Sequence, residues 1–301
     1  MKVQASGKRK SMKAKIYPAY FLLGAVILYF ALYLVPGILG IYFSFTNWNA
    51  YSSKMHFVGF QNFVKIFSIG ENYLFYIKNT LLFTAVTTAV KTVLGLVFAL
   101  MLNTGIAAKS VHRSVLFSPV ILSFLITGIV FRSILNPATG MLNTILRDIG
   151  LAPLAASWLV DPHIAFFSVM GVDVWKGAGY LMVIYLAGLQ AIPSTYYDAA
   201  AIDGAGYFQR LWNVTLPLLM PSIVVVVVLN ILYGLRVFDI IYVLTNGGPG
   251  NLTEVINTVV FEQFSQGAYA LANSLSTLLF LVMAAIGFLL IRAMNRRIVQ
   301  A

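Results

Sequence analysis

Two sets of side chains in this chain of 301 residues repeat one spacing. Asp173, Lys176, Gly177 and Tyr180 stand at i, i+3, i+4 and i+7, and Asn230, Tyr233, Gly234 and Val237 follow the same intervals. On an α-helix each set shares one face. Each face then offers hydrogen-bonding groups and an aromatic ring beside a glycine clearance, a combination suited to a hydroxylated solute: Tyr stacks on a sugar face while Asn and Asp bond its hydroxyls. Helix packing is the plain alternative. Under it the glycines permit close approach, Asp173 and Lys176 neutralise each other, and Arg236 pairs with Asp239. Lys91 and Arg132 are read as bundle-facing or snorkelling cations rather than solute ligands. Bond-breaking chemistry has little support. There is no cysteine, and His56, His112 and His163 are dispersed without ligand spacing. Asp173 alone is insufficient for acid–base catalysis. No stretch fits the phosphate-cradling G-x-x-x-x-G-K-[ST] pattern, and Gly247-Gly248-Pro249-Gly250 lacks its lysine.

The elements that must position these faces are membrane spans. With 60% hydrophobic and 10% charged residues and a mean hydropathy of +0.87, the chain has too little polar surface to cover a soluble globule. The net charge of +11 does not indicate nucleic acid, because the cations flank apolar runs and form no basic face with stacking aromatics. A span needs about 20 apolar residues. Six segments qualify: Ala19–Ser44, Asn79–Leu102, Ser114–Leu135, Ile164–Gln190, Ser222–Leu244 and Tyr269–Arg292. The first is too long for a signal-peptide core of roughly 7–15 residues and lacks a small-x-small cleavage site, so it is read as retained. Pro36-Gly37 within it predicts a kink or an early end. Trp48 and Trp158 are read as interfacial anchors.

Cation placement orients the spans, since basic short loops stay cytoplasmic. With the N-terminus inside, the cytoplasmic side holds Lys2, Lys8, Arg9, Lys10, Lys13, Lys15, Lys109, Arg113, Arg210, Arg292, Arg296 and Arg297. The outer side holds Lys54, Lys65, Lys78 and Arg147. Both termini and the loop from Asp198 to Pro221 are therefore expected in the cytoplasm.

That loop is a polar, turn-containing insert between apolar runs. Asp198 to Asp203 is alanine-rich and follows Pro193-Ser194, which predicts a short helix. Gly204 permits a reversal. Tyr207, Phe208, Leu211 and Val214 then fall at helical spacing before Leu216-Pro217 and Pro221. Two short helices at an angle would make one knob, with small alanines that let a partner approach closely. An amphipathic interfacial helix would explain the apolar stripe but not the combined glycine and proline spacing.

The segment resembles the "EAA" loop of ABC importer permeases, E-A-A-x-x-D-G-A with nine residues between its glycine and I-x-L-P. Asp198 stands in place of its Glu, and Val214 in place of its Ile. Val174-Trp175-Lys176, the run from Leu186 to Pro193 and the run from Leu244 to Gly250 resemble the carbohydrate branch of that family, of the maltose and glycerol-phosphate first-subunit type. The similarity extends from about Ala19 to Arg292.

The resemblance implies an all-α integral membrane fold with six transmembrane helices, a MetI-like permease core plus an additional N-terminal span. It places a cytoplasmic tail at 1–18, the permease domain at 19–292 with a coupling loop at 191–221, and a second tail at 293–301. It implies that Asp198, Ala199, Ala200, Asp203, Gly204, Ala205, Leu216 and Pro217 engage an ATPase cleft. It also implies that Asp173, Lys176, Gly177, Tyr180, Asn230, Tyr233 and Gly234 surround solute at mid-membrane. The expected partners are a second homologous permease, two ATPase subunits that bind ATP and Mg, an extracytoplasmic solute-binding protein, a carbohydrate and the lipid bilayer, with no nucleic acid. No cofactor is expected in this chain, and the setting is a bacterial or archaeal cytoplasmic membrane. An ion-coupled secondary transporter is the competing reading, but it leaves the knob unexplained.

Overall fold

The computed structural model describes residues 20–52, 54–68, 72–104 and 107–295. The basic tail from Lys2 to Lys15, together with Arg296 and Arg297, lies outside them. Among the described residues every regular element is a helix, apart from a single isolated bridge between Thr46 and Phe57.

Helix α1 runs through Tyr20–Tyr29, a π-turn at Phe30–Leu34 and Val35–Phe43. After it come α2 (Gln61–Phe67), α3 (Tyr73–Asn103), α4 (Lys109–Ile121), α5 (Phe124–Ile134), α6 (Met141–Asp148) and α7 (Ala165–Gln190). Helix α8 is Ser194–Ile202, and α9 joins Tyr207–Arg210, a π-turn at Leu211–Thr215 and Leu216–Leu235. The chain closes with α10 (Asp239–Leu244), α11 (Ile256–Ser265) and α12 (Tyr269–Asn295).

Among the described residues five helices are long and apolar enough to cross a membrane, and the pair α4 and α5 makes a sixth crossing if its two halves count as one. This corrects the straight third span expected over Ser114–Leu135: the pair bends by 99°. Helix α4 contains Pro119 and stops at Ile121, and Ser123 then caps α5 by accepting the Ile126 N–H at 3.2 Å. The fifth span is also corrected. Instead of Ser222–Leu244 it is Tyr207–Leu235, and Asp239–Leu244 turns away as α10 to pack on α5. The second span begins at Tyr73, six residues earlier than expected.

Both π-turns precede a proline. Pro36 and Pro217 cannot donate the intrahelical hydrogen bond, and the wider turn before each lets the helix pass its ring without breaking. Of the kink or early end expected at Pro36-Gly37, the early end does not occur, and the helix runs on to Phe43.

Helices α3 and α7 form the most extensive pair, with α9 against both and α4 on α7. Glycine sets their separation: a Cβ on Gly95 would lie 2.8 Å from Leu181 Cβ, and one on Gly177 2.7 Å from Lys91 Cδ. Two apolar clusters hold this trio at different heights. One contains Phe83, Phe166, Val169, Met170 and Val237; the other contains Ala99, Leu102, Met182, Tyr185, Leu186 and Val226. Between them α3 contributes Lys91, α7 contributes Asp173 to Leu181, and α9 contributes Leu229 to Tyr233. The polar residues thus occupy one level between two dry ones.

At the end of the bundle away from α8, side-chain amides pin the loops. Asn79 donates to the carbonyls of Leu252 and Glu254, both at 2.9 Å, and the Ile256 N–H donates to Thr80 Oγ1 at 3.0 Å. Asn143 accepts the Trp158 indole N–H at 2.8 Å, so that tryptophan directs its polar edge into the protein. Trp48 packs between Phe43 and Tyr269.

Candidate functional site

A cavity of about 260 Å³ occupies the polar level. Lys91, Val120, Phe124, Asp173, Lys176, Gly177, Tyr180, Leu181, Leu229, Asn230 and Tyr233 line it. Six of the seven side chains singled out from the sequence are in this lining. The seventh, Gly234, is packed elsewhere: it is buried, and a Cβ on it would meet Thr84 Cα at 2.9 Å. Val237, the last position of that stripe, is in the apolar cluster beyond it.

The ion pairing differs from the sequence expectation. Asp173 is buried and pairs across helices with Lys91, whose ammonium donates to Asp173 Oδ2 at 2.8 Å. The Tyr233 hydroxyl donates to Oδ1 of the same carboxylate at 2.8 Å, and its ring lies 4.5 Å from the Lys91 ammonium. One carboxylate thus ties α3, α7 and α9 together. Periodicity on α7 could not reveal this, since Lys91 is 82 residues away in sequence. The signal available was a lone lysine inside an apolar run, for which burial requires a counter-charge.

Lys176 turns from Asp173 to the broken span. Its ammonium donates to the carbonyls of Pro119, at 3.2 Å, and of Val120 and Leu122, and it lies 4.8 Å from the Phe124 ring. A helix that stops leaves its last carbonyls without intrahelical partners and carries a partial negative charge there. Lys176 fills both needs and so holds the bend between α4 and α5. Arg236 and Asp239 are exposed and form no ion pair with each other among the described residues.

One side of the cavity is open. Tyr180 is 47% exposed and Tyr233 36%, beside an Asp173 that is 2% exposed. The Asn230 side chain is buried, and its amide nitrogen has no hydrogen-bond partner.

At one end of the bundle the 194–215 segment forms a protruding knob. Helix α8 ends with Asp203 as its cap. The Gly204 N–H bonds to Ala201 O at 3.1 Å and the Ala205 N–H to Ala200 O at 2.9 Å, the paired closure of a Schellman turn. Gly204 sits at φ +71°, where an L side chain is strained. Arg210 Nε donates to Ala205 O at 2.9 Å and Gln209 accepts the Gly206 N–H at 2.9 Å, which fix the reversal. The second knob helix is not separate as expected; it is the first turn of α9, so the knob is continuous with a lining helix of the cavity. Asp198, Ala199, Asp203 and Gly204 are exposed on it. Ala200 and Ala205 are half-buried, and Leu216 and Pro217 lie beyond the π-turn. Of the apolar surface on this knob, sequence reasoning singled out Phe208, which is 72% exposed, but missed Ile202 at 87% and Trp212 at 67%.

The chain matches the family model described as "Binding-protein-dependent transport system inner membrane component" over residues 21–300. It is 38% identical to the trehalose/maltose transport system permease protein MalF of Thermococcus litoralis over 226 residues, 75% of this chain and 76% of that one. Over 276 residues, 90% of this chain and 93% of the other, it is 34% identical to the multiple sugar-binding transport system permease protein MsmF of Streptococcus mutans. Its fold is similar to that of a bacterial ABC transporter involved in the import of the acidic polysaccharide alginate, with a TM-score of 0.82 and 26% identity over 96% of this chain and 99% of that chain.

Proposed function

This chain belongs to the family of binding-protein-dependent transport system inner membrane components, and from that premise we propose that it passes a carbohydrate through the cavity between α3, α7 and α9 by ATP-driven alternating access. It is a multi-pass, non-catalytic permease subunit of an ABC importer. The observation that carries the reading is continuity: α9 begins in the exposed knob and ends at Asn230 and Tyr233 in the cavity wall.

The parts act as follows. An ATPase subunit takes the Ile202, Phe208 and Trp212 surface in a cleft, because apolar area of that extent on a polar loop is stabilised by cover. Closure of two such subunits moves the knob, and α9 transmits the movement as a rigid rod. A second, homologous permease closes the open side at Tyr180 and Tyr233. The extracytoplasmic binding protein delivers solute from the far end, the knob faces the cytoplasm, and both termini lie there too. Tyr180 and Tyr233 offer ring faces to the sugar, and Asn230 a free amide. The membrane is a bacterial or archaeal cytoplasmic membrane.

The test is reconstitution of the complete complex in proteoliposomes. Sugar-loaded binding protein should stimulate ATP hydrolysis and uptake together. Uptake driven by a proton or sodium gradient without ATP would favour the ion-coupled reading and discard this one.

A further inference from the structure

We infer that the cavity selects solutes bearing an anionic group, a sugar acid or a phosphorylated sugar, over neutral sugars of the same size. The inference rests on the carbohydrate reading above and narrows it.

The charged side chains of the cavity are two lysines and one aspartate. The aspartate's charge is already balanced by Lys91 on Oδ2, and Oδ1 accepts the Tyr233 hydroxyl. A sugar hydroxyl entering as a donor finds a carboxylate already neutralised by Lys91, with the Tyr180 hydroxyl and the Asn230 amide oxygen as neutral acceptors beside it. Donor capacity is not exhausted. The Lys91 ammonium has three protons, one of which is on Asp173, and its other close neighbour is the Tyr233 ring. The Asn230 amide nitrogen is buried without a partner.

Lys176 contributes differently. Its protons go to backbone carbonyls, whose partial charge amounts to roughly half an electron at a helix C-terminus. The site therefore keeps a positive field after its internal pairing is complete. A carboxylate or phosphate brings acceptors alone, takes the spare Lys91 and Asn230 protons, and compensates that field where the low dielectric makes it strongest. A neutral sugar gains the hydrogen bonds and none of the field.

The permease complex, assembled with its second permease and ATPases in nanodiscs, is titrated by equilibrium dialysis with trigalacturonate against maltotriose, and with glucose 6-phosphate against glucose. Dialysis without the binding protein keeps that protein's selectivity out of the result. We expect each anionic probe to bind at least about ten-fold more tightly than its neutral counterpart, with the advantage shrinking as salt rises. A response to only one anion identifies the uronate or the phosphate as the group recognised. Asn230→Asp adds one negative charge with little change of shape and should abolish the advantage by weakening trigalacturonate far more than maltotriose. Lys176→Gln should reduce it, with thermal melting reporting whether the bend survives. Maltotriose and glucose binding as tightly as the anions, or an advantage untouched by Asn230→Asp, overturns the inference and leaves the carbohydrate reading standing. If no sugar of either kind binds or stimulates ATP hydrolysis, both readings fall together.

Discussion

A single carboxylate organises the cavity, and its worth is measurable. Removing one partner of a buried pair strands the other charge, at a cost of about 3–5 kcal/mol. Asp173→Asn should therefore lower the melting temperature of the purified complex markedly, and Lys91→Met combined with Asp173→Leu should recover most of the loss while transport stays impaired. Equal melting of Asp173→Asn and the unaltered protein would show that the pair is not buried in the assembled complex. The aromatic rings bear on solute: Tyr180→Ala and Tyr233→Ala should each cut uptake about five-fold, an aromatic contact being worth about 1 kcal/mol, with binding-protein affinity unchanged. Tyr233→Phe separates two roles of one side chain, since it keeps the ring over Lys91 and drops only the hydroxyl on Asp173. Unchanged uptake in both alanine variants would make these faces packing surfaces. The stripes themselves were readable from side-chain type and interval, yet the identity of the ion pair was not, because a helical period relates neighbours on one helix and says nothing of which helix faces it.

At the scale of elements, the knob and the loop from Thr245 to Ile256 are the parts whose geometry is most exposed to test. Gly204 has open space around its Cβ position, so a larger residue meets no wall there; what it meets is the φ of +71°. Gly204→Val should strain the turn by about 1–2 kcal/mol and weaken ATPase association or coupling, with membrane insertion normal. Assembly and transport at the unaltered rate would discard the knob as a transmitter. In the second loop Glu254 is buried under Gly247, and Thr258 Oγ1 donates to its Oε2 at 3.1 Å. Burial pushes its carboxyl above the usual range, the Thr258 bond opposes that and Glu262 adds to it. An acid whose folded value lies above its unfolded one gives stability that is full at low pH and is lost as the pH rises through the folded value. Hydrogen exchange over residues 245–256 should therefore be slower at mildly acidic than at alkaline pH after correction for the intrinsic rate, and Glu254→Gln should flatten the dependence. The glycine reversal was legible from sequence because only one residue type suits it. The bend between α4 and α5 was hidden, because apolar composition is the same for a straight span and a folded one.

For the whole molecule, orientation is the property on which coupling depends. Single cysteines at Gly206 and Asn251, at opposite ends of the bundle, should respond oppositely to an impermeant thiol reagent in intact cells, with Asn251→Cys labelled and Gly206→Cys protected. Labelling at Gly206 would reverse the assignment and remove the knob from ATPase reach. The two positions are exposed in loops rather than in helices, and since Asn251→Cys gives up the side-chain hydrogen bond to Tyr76, protein abundance is measured alongside labelling.

Composition alone determined the solvent of this chain, because 60% hydrophobic residues cannot be hidden from water in a body of this size. Local chemistry determined its helices and the turn at Gly204, since proline, glycine and alanine act on the backbone within a few residues. Partnership was decided only by the tertiary structure. Lys91 reaches Asp173, Lys176 takes the carbonyls of a broken helix, and Gly234 serves Thr84 instead of the cavity. Each of these joins residues remote in sequence, and a buried charge accepts whichever counter-group the packing of whole helices brings within reach, which no spacing along the chain encodes.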